Sequence, residues 1–278
     1  MNAKLKWNSN YPDKKILRKE INFMLDSFME VLLKEIVASE IEMIYFKGSA
    51  QKNWDSPIDY VPELSDIDIH ILFSNDSSTF AHFGTTNKAL DIQSKIEKTF
   101  LSKVKNPFHI PRPQLMILNN LLKEKDFIPT PKRAIKLLYG KDYPKPDYSD
   151  DDRIKRIDRD RILCEEKFLS DFPLKVIDKP SKYLWNSLKD LIWHVSPLGP
   201  RVIHILGVRT EEAWSINRSQ IVVLLKEIGE TKLAGDYSEC YLNGWKYFLS
   251  NYKDTKAGRM SIISGINALK RGIEIAKS

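Results

Sequence analysis

Cysteine is scarce, with two in 278 residues, Cys164 and Cys240. They stand far apart and in no metal-binding spacing. A disulfide scaffold and a zinc module are therefore not expected, and the thiols read as reduced groups in an intracellular, cytoplasmic protein. Long apolar runs are also missing. None approaches the roughly 20 residues that a helix needs to cross a bilayer, so no membrane partner is expected. The opening segment, MNAKLKWNSNYPDKK, has no apolar core and does not read as a secretory signal. No internal repeat, low-complexity tract or known nucleic-acid-binding motif occurs.

What is present suits a globular protein, with hydrophobic residues at 42% and charged residues at 29%. The net charge is +7 and the pI about 9.1. Such a balance fits a nucleotide or nucleic-acid partner. It equally fits solvated helix faces rich in Lys and Glu, as in heat-adapted proteins.

The most informative stretch is IYFKGSAQKNWDSPIDYVPELSDIDIHILF, residues 44–73. It reads as a strand, a Gly48-Ser49 turn, a long polar loop and a second strand. Side chains alternate across a strand, so Asp66 and Asp68 share one face while Ile67 and Ile69 share the other. Adjacent carboxylates repel unless a positive charge lies between them. A divalent cation is the usual answer, and Mg²⁺ held by one or two carboxylates usually accompanies a phosphate. Gly48 and Ser49 could open a short helix whose N–H groups face that phosphate.

This arrangement resembles the nucleotidyltransferase superfamily that includes DNA polymerase β and the aminoglycoside nucleotidyltransferases. The shared pattern is an apolar strand, Gly48-Ser49, a loop, then Ser65, Asp66 and Asp68 among Ile67, Ile69, Ile71, Leu72 and Phe73. It covers the first half of the chain. The helix-rich second half is similar to the aminoglycoside enzymes only in general architecture. The resemblance implies an α+β fold: a nucleotidyltransferase-like mixed sheet with flanking helices at 1–148, then an all-α helical bundle at 149–278. It implies Asp66 and Asp68 as catalytic metal ligands for Mg²⁺ or Mn²⁺, and Gly48, Ser49 and Ser65 as the phosphate cradle. The implied activity is transfer of a nucleoside monophosphate from a triphosphate, ATP or another, to a small-molecule or protein acceptor.

The family usually places a third carboxylate on a neighbouring strand. The strand expected here is Gln114–Leu118, and the matching position is Gln114, which carries no charge. That departure leaves a catalytically weakened nucleotide-binding or regulatory protein as an alternative. An RNA-directed transferase is another, although the dispersed basic residues favour it less. Glu165 or Glu166 from the helical half could replace the missing base, as could Asp126 if the strand lies elsewhere. Lys47, Lys52 and His70 lie near enough in sequence to meet phosphate, with exposed lysines and a satisfied histidine as the plainer readings. His194 and His204 lack metal spacing. Trp185, Trp193, Trp214 and Trp245 sit at spacings that suit core burial. Arg201 and Arg209 read as surface arginines.

Along the chain, apolar steps of three and four predict helices over 13–39 and 87–104. The loop between the first strands, with Pro57 and Pro62, reads as a substrate-facing insertion or a passive surface loop. Residues 123–145 form a basic stretch, and Gly140 with Pro144 and Pro146 suggests a boundary. Further helices are expected at 151–170, 182–195, 210–228, 236–252 and 258–276, with Thr210 and Asp236 as caps and a Pro197-Gly199-Pro200 turn.

Overall fold

The computed structural model describes residues 6–76, 82–143 and 147–278. Pro144 and Pro146, part of the expected boundary, and Lys145 of the basic stretch lie outside the described residues. The fold is α+β, and it divides into two compact units. A sheet unit comprises Asn8–Lys52 and Ser65–Pro146, and a helical unit comprises Met1–Trp7, Asn53–Leu64 and Asp147–Ser278. The expected division at residue 148 differs from this in assigning the first residues and the 53–64 segment to the sheet half.

In the sheet unit, α1 (Lys14–Glu35) starts at Asp13, whose side chain accepts from the Lys15 N–H at 2.8 Å. Leu17, Ile21, Met24, Leu25, Phe28 and Leu32 recur at helical steps and are buried. Strand β1 (Ile41–Lys47) pairs antiparallel with β2 (Ile67–Phe73). Helix α2 (Thr86–Lys103) buries Ile92, Ile96 and Phe100. Strand β3 (Pro113–Ile117) joins β2 in parallel, a short helix α3 (Leu118–Leu121) follows, and β4 (Ile135–Gly140) closes the other edge beside β1. The order is β3-β2-β1-β4.

Alternation sorts the two faces. Ile44, Phe46, Ile67, Ile69, Ile71 and Phe73 are buried on one. On the helix side a cavity of about 560 Å³ lies among Phe28 of α1, Ile92 and Ile96 of α2 and Leu115 of β3. The other face pairs Tyr45 with His70 and Lys47 with Asp68. Strand β4 lies inside the stretch read only as basic. Its last residue, Gly140, has φ +79°, and a Cβ there would run into the Glu42 carbonyl oxygen.

The helical unit corrects several expected boundaries. The run 151–170 is two helices, α4 (Asp151–Leu163) and α5 (Glu165–Asp171). Helix α6 (Tyr183–Ile205) continues through Pro197 and Pro200, where a turn was expected. Pro200 has no N–H for the Ser196 carbonyl, and the Tyr237 hydroxyl donates to that carbonyl at 3.4 Å instead. The run 210–228 breaks into α7 (Thr210–Ser215) and α8 (Arg218–Glu227), because Asn217 forms a capping box with Gln220. Thr210 is the first residue of its helix rather than the cap. Helix α9 (Thr231–Leu249) runs straight past Asp236, and α10 (Thr255–Lys277) follows, capped by Asp254.

The 53–64 segment is not a passive surface loop. Ser56, Pro57, Ile58, Asp59, Tyr60 and Val61 are buried in the helical unit. Asp59 accepts from the Ser219 N–H at 2.7 Å, the Ser219 hydroxyl at 2.9 Å, and the Asp55 and Ser56 N–H groups at 2.8 and 2.9 Å. Burial raises its pKa in spite of those donors. Arg218 donates to the Ile58 carbonyl at 3.0 Å, and the Trp245 indole donates to the Pro57 carbonyl at 2.8 Å. These bonds satisfy backbone groups that a buried loop would otherwise leave orphaned.

Candidate active site

The sheet unit gathers Gly48, Asp66, Asp68, Arg112 and Gln114 at the end of β1 and the start of β2 and β3. Lys47 lies opposite Asp68 in the antiparallel register, and Asp68 lies beside Gln114 in the parallel one. Both acids occupy the same face of β2, half-buried, between the buried Ile67 and Ile69.

Gly48 has φ +84°, a conformation that side chains other than hydrogen resist. A Cβ built there would overlap Asp68 Oδ2 and come within 2.9 Å of Asp68 Cγ. The turn therefore passes directly over the carboxylate. After it the chain makes a turn and not the expected short helix, with the Gly48 carbonyl accepting from Gln51 N at 3.2 Å and Lys52 N at 3.3 Å. Arg18 of α1 holds this turn from behind by donating to the Ala50 carbonyl at 2.5 Å and to the Lys52 carbonyl. Ser49 is half-buried and Ser65 buried, each one residue from the Gly48 and Asp66 positions.

The positive charge demanded by the two acids is supplied in part by the protein. Arg112, just before β3, donates from Nε to Asp66 Oδ1 at 2.8 Å and from Nη2 to Asp66 Oδ2. This fork raises the Arg112 pKa, chiefly through its hydrogen bonds to Asp66. The inner end of the Gln114 amide lies 3.1 Å from Asp66 Oδ2 and 3.2 Å from Asp68 Oδ1, and with nitrogen inward it donates to both. Strand β3 is steadied from α1. The buried Glu20 accepts from Phe108 N at 2.5 Å and pairs with His109 Nδ1 at 2.7 Å, while the Arg112 carbonyl accepts from Ile67 N at 2.9 Å.

His70 shares the acids' face but is buried against β1, its Nδ1 2.6 Å from the Tyr45 hydroxyl. Burial, helped by the Lys47 charge, drives its pKa down to about 2, so it is neutral at ordinary pH. The strand holding Gln114 lies where expected, and Asp126 sits in an exposed turn beyond α3. In the helical unit Glu165 pairs with His194 Nδ1 at 2.6 Å, and Glu166 with Lys277 at 2.5 Å. Trp185 and Trp245 are core residues there, whereas Trp193 is exposed. Arg201 is no surface residue: it is largely buried, with Nε 3.6 Å from Asp158 Oδ1.

Sequence reasoning missed Arg112, Arg18 and Glu20. Each acts across 30 or more positions of chain, and none stands in a motif. Among the described residues, no group of three or more His, Cys, Asp or Glu is arranged to hold a metal. No family model matches the chain, and neither the curated proteins nor the solved structures compared with it contain a match. Among the described residues, no helix is long and apolar enough to cross a membrane.

Proposed function

We propose that the sheet unit is a metal-dependent nucleotidyl-transfer site, moving a nucleoside monophosphate from a triphosphate to a small-molecule or protein acceptor. The carrying observation is the Gly48 turn laid against Asp68, with Asp66 and the inner end of Gln114 alongside. Two carboxylates and an amide oxygen would suit an ion of the Mg²⁺ type. With the Gln114 amide turned oxygen-inward, three oxygens stand 3.1–3.2 Å apart along two edges. Octahedral ligands at about 2.0–2.1 Å from Mg²⁺ have neighbouring oxygens about 3 Å apart. Such an ion supplies charge neutralisation on phosphoryl oxygens and alignment of the leaving group.

The chain's own residues do the rest. Gly48 lets the backbone approach a phosphate closely, and the half-buried Ser49 hydroxyl is a donor for its oxygens, whereas Ser65 is buried and lies out of register with Asp66 and Asp68. Asp66 and Asp68 would hold the ion beside that phosphate. Gln114 is a neutral ligand and cannot take the acceptor's proton, so that proton leaves by another route. The same residue favours a second reading, a nucleotide-binding protein in which transfer is weak.

Asp66→Asn and Asp68→Asn are expected to lower Mg²⁺-dependent transfer by several orders of magnitude. Full activity in both variants removes the proposed site. Pyrophosphate release across a panel of acceptors separates transferase from binder. No thermal shift with ATP, CTP, GTP or UTP in the presence of Mg²⁺ counts against both.

A further inference from the structure

Arg112 is a strong feature of the site that the motif does not contain. Its backbone is fixed. It lies between Pro111 and Pro113, its carbonyl accepts from Ile67 N, and Glu20 anchors the segment before it. Its side chain is the movable part. The Arg112 side chain is 44% exposed, whereas the Asp66 side chain it grips is 11% exposed. The guanidinium therefore lies on the solvent side of the carboxylate and can leave without opening the core. While it stays, both oxygens of Asp66 are engaged and a positive charge stands where a cation would approach. A planar guanidinium fork matches phosphate oxygens as well as it matches a carboxylate.

We propose that Arg112 is a displaceable counter-ion: it closes the Asp66–Asp68 pair to a bare divalent ion, then transfers to the phosphate tail of an incoming triphosphate. Metal and nucleotide consequently enter together. The proposal rests on the nucleotidyl-transfer reading and adds to it a rule of binding order.

The test uses the full chain, with Mn²⁺ as the ion and inorganic tripolyphosphate as a tail that carries no base. Affinity for bare Mn²⁺ is read from the electron paramagnetic resonance of the free ion, and affinity for the Mn²⁺–tripolyphosphate complex by titration calorimetry. Arg112→Lys keeps the charge and loses the fork, and Arg112→Gln loses both. Both variants are expected to bind bare Mn²⁺ about ten-fold more tightly than the unaltered protein and the complex about ten-fold more weakly. In Arg112→Lys, where the charge is kept, neither a structural clamp nor a change of net charge would move the two affinities in opposite directions. Unchanged affinities in Arg112→Lys overturn the proposal and leave the site reading intact. Should Arg112→Gln fail to fold, Arg112→Lys alone decides. If the unaltered protein and both variants bind neither bare Mn²⁺ nor the complex, the nucleotidyl-transfer reading itself falls, and Arg112 has no such role.

Discussion

Replacing Gly48 by alanine sets a methyl group against a carboxylate, and the cost divides into two parts that can be measured separately. The first is conformational. At φ +84° an alanine sits in the left-handed region, which costs roughly 1–2 kcal/mol for a residue with a Cβ. The second is steric. The three atoms nearest the added Cβ all belong to Asp68, namely Oδ2 in overlap, Cγ at 2.9 Å and Cβ at 3.3 Å. Asp68 must turn away, because Arg18 holds the following turn by its Ala50 and Lys52 carbonyls.

A double-mutant cycle separates the two. In an Asp68→Ala background only the Cβ contact remains, so Gly48→Ala should there cost about 1–2 kcal/mol by urea denaturation. In the native background it should cost about 1 kcal/mol more, a typical coupling for residues in contact. The functional loss should exceed the stability loss. A displacement of about 1 Å in a reacting group is worth about 10²-fold in rate. Equal stability costs in the two backgrounds would refute the steric half of this reasoning. Gly48→Ala with native affinity for the Mn²⁺–tripolyphosphate complex would refute the placement of Asp68 at the ion.

Two predictions concern the helical unit. His204 of α6 is buried between Asp158, 2.8 Å from its Nδ1, and Asp151, 3.1 Å from its Nε2. Burial opposes its charge, but the two carboxylates prevail and raise its pKa above the ordinary 6.5. Its stabilising contribution is therefore complete below pH 6.5 and is lost as pH rises through the raised value. Urea midpoints should fall over that interval in the native protein and stay flatter in His204→Gln; parallel profiles would contradict it. Asp59→Asn should cost about 1–3 kcal/mol, because an amide nitrogen turned toward the four donors that now face Asp59 leaves some of them buried and unpaired. A urea midpoint within error of the native one would show that these bonds do not secure the 53–64 segment.

What was legible in the sequence was whatever is local. The alternation in Ile67–Phe73 marks β2, and the apolar steps of Lys14–Glu35 mark α1. Strand β4 escaped because Lys136 within it, with Arg133 and Lys141 on either side, made the segment read as a charge run, and its pairing with β1 is long-range. The Pro197–Pro200 turn failed for a similar reason: the Tyr237 hydroxyl that occupies the freed Ser196 carbonyl comes from another helix. The buried role of 53–64 depends on Ser219, Arg218 and Trp245, more than 150 positions away. No composition of the loop itself reveals partners so distant.

The site follows the same division, and its charge balance shows why the omission of Arg112 matters. Asp66 and Asp68 on one face require positive charge nearby, since unit charges about 4 Å apart interact by about 4 kcal/mol at an effective dielectric constant of 20. A divalent ion satisfies that requirement, but so do protein cations. Arg112 on Asp66 and Lys47 across from Asp68 bring the formal sum of the four groups to zero, −2 + 2. A bare divalent ion entering such a set would raise it to +2 beside two cationic side chains. A triphosphate arriving with the ion carries more negative charge than the ion carries positive, and it gives the guanidinium a new partner. The resting set of side chains therefore favours the ion and the phosphate tail as a pair over either alone, and a bare-ion affinity in the native protein equal to its affinity for the complex would be incompatible with that balance.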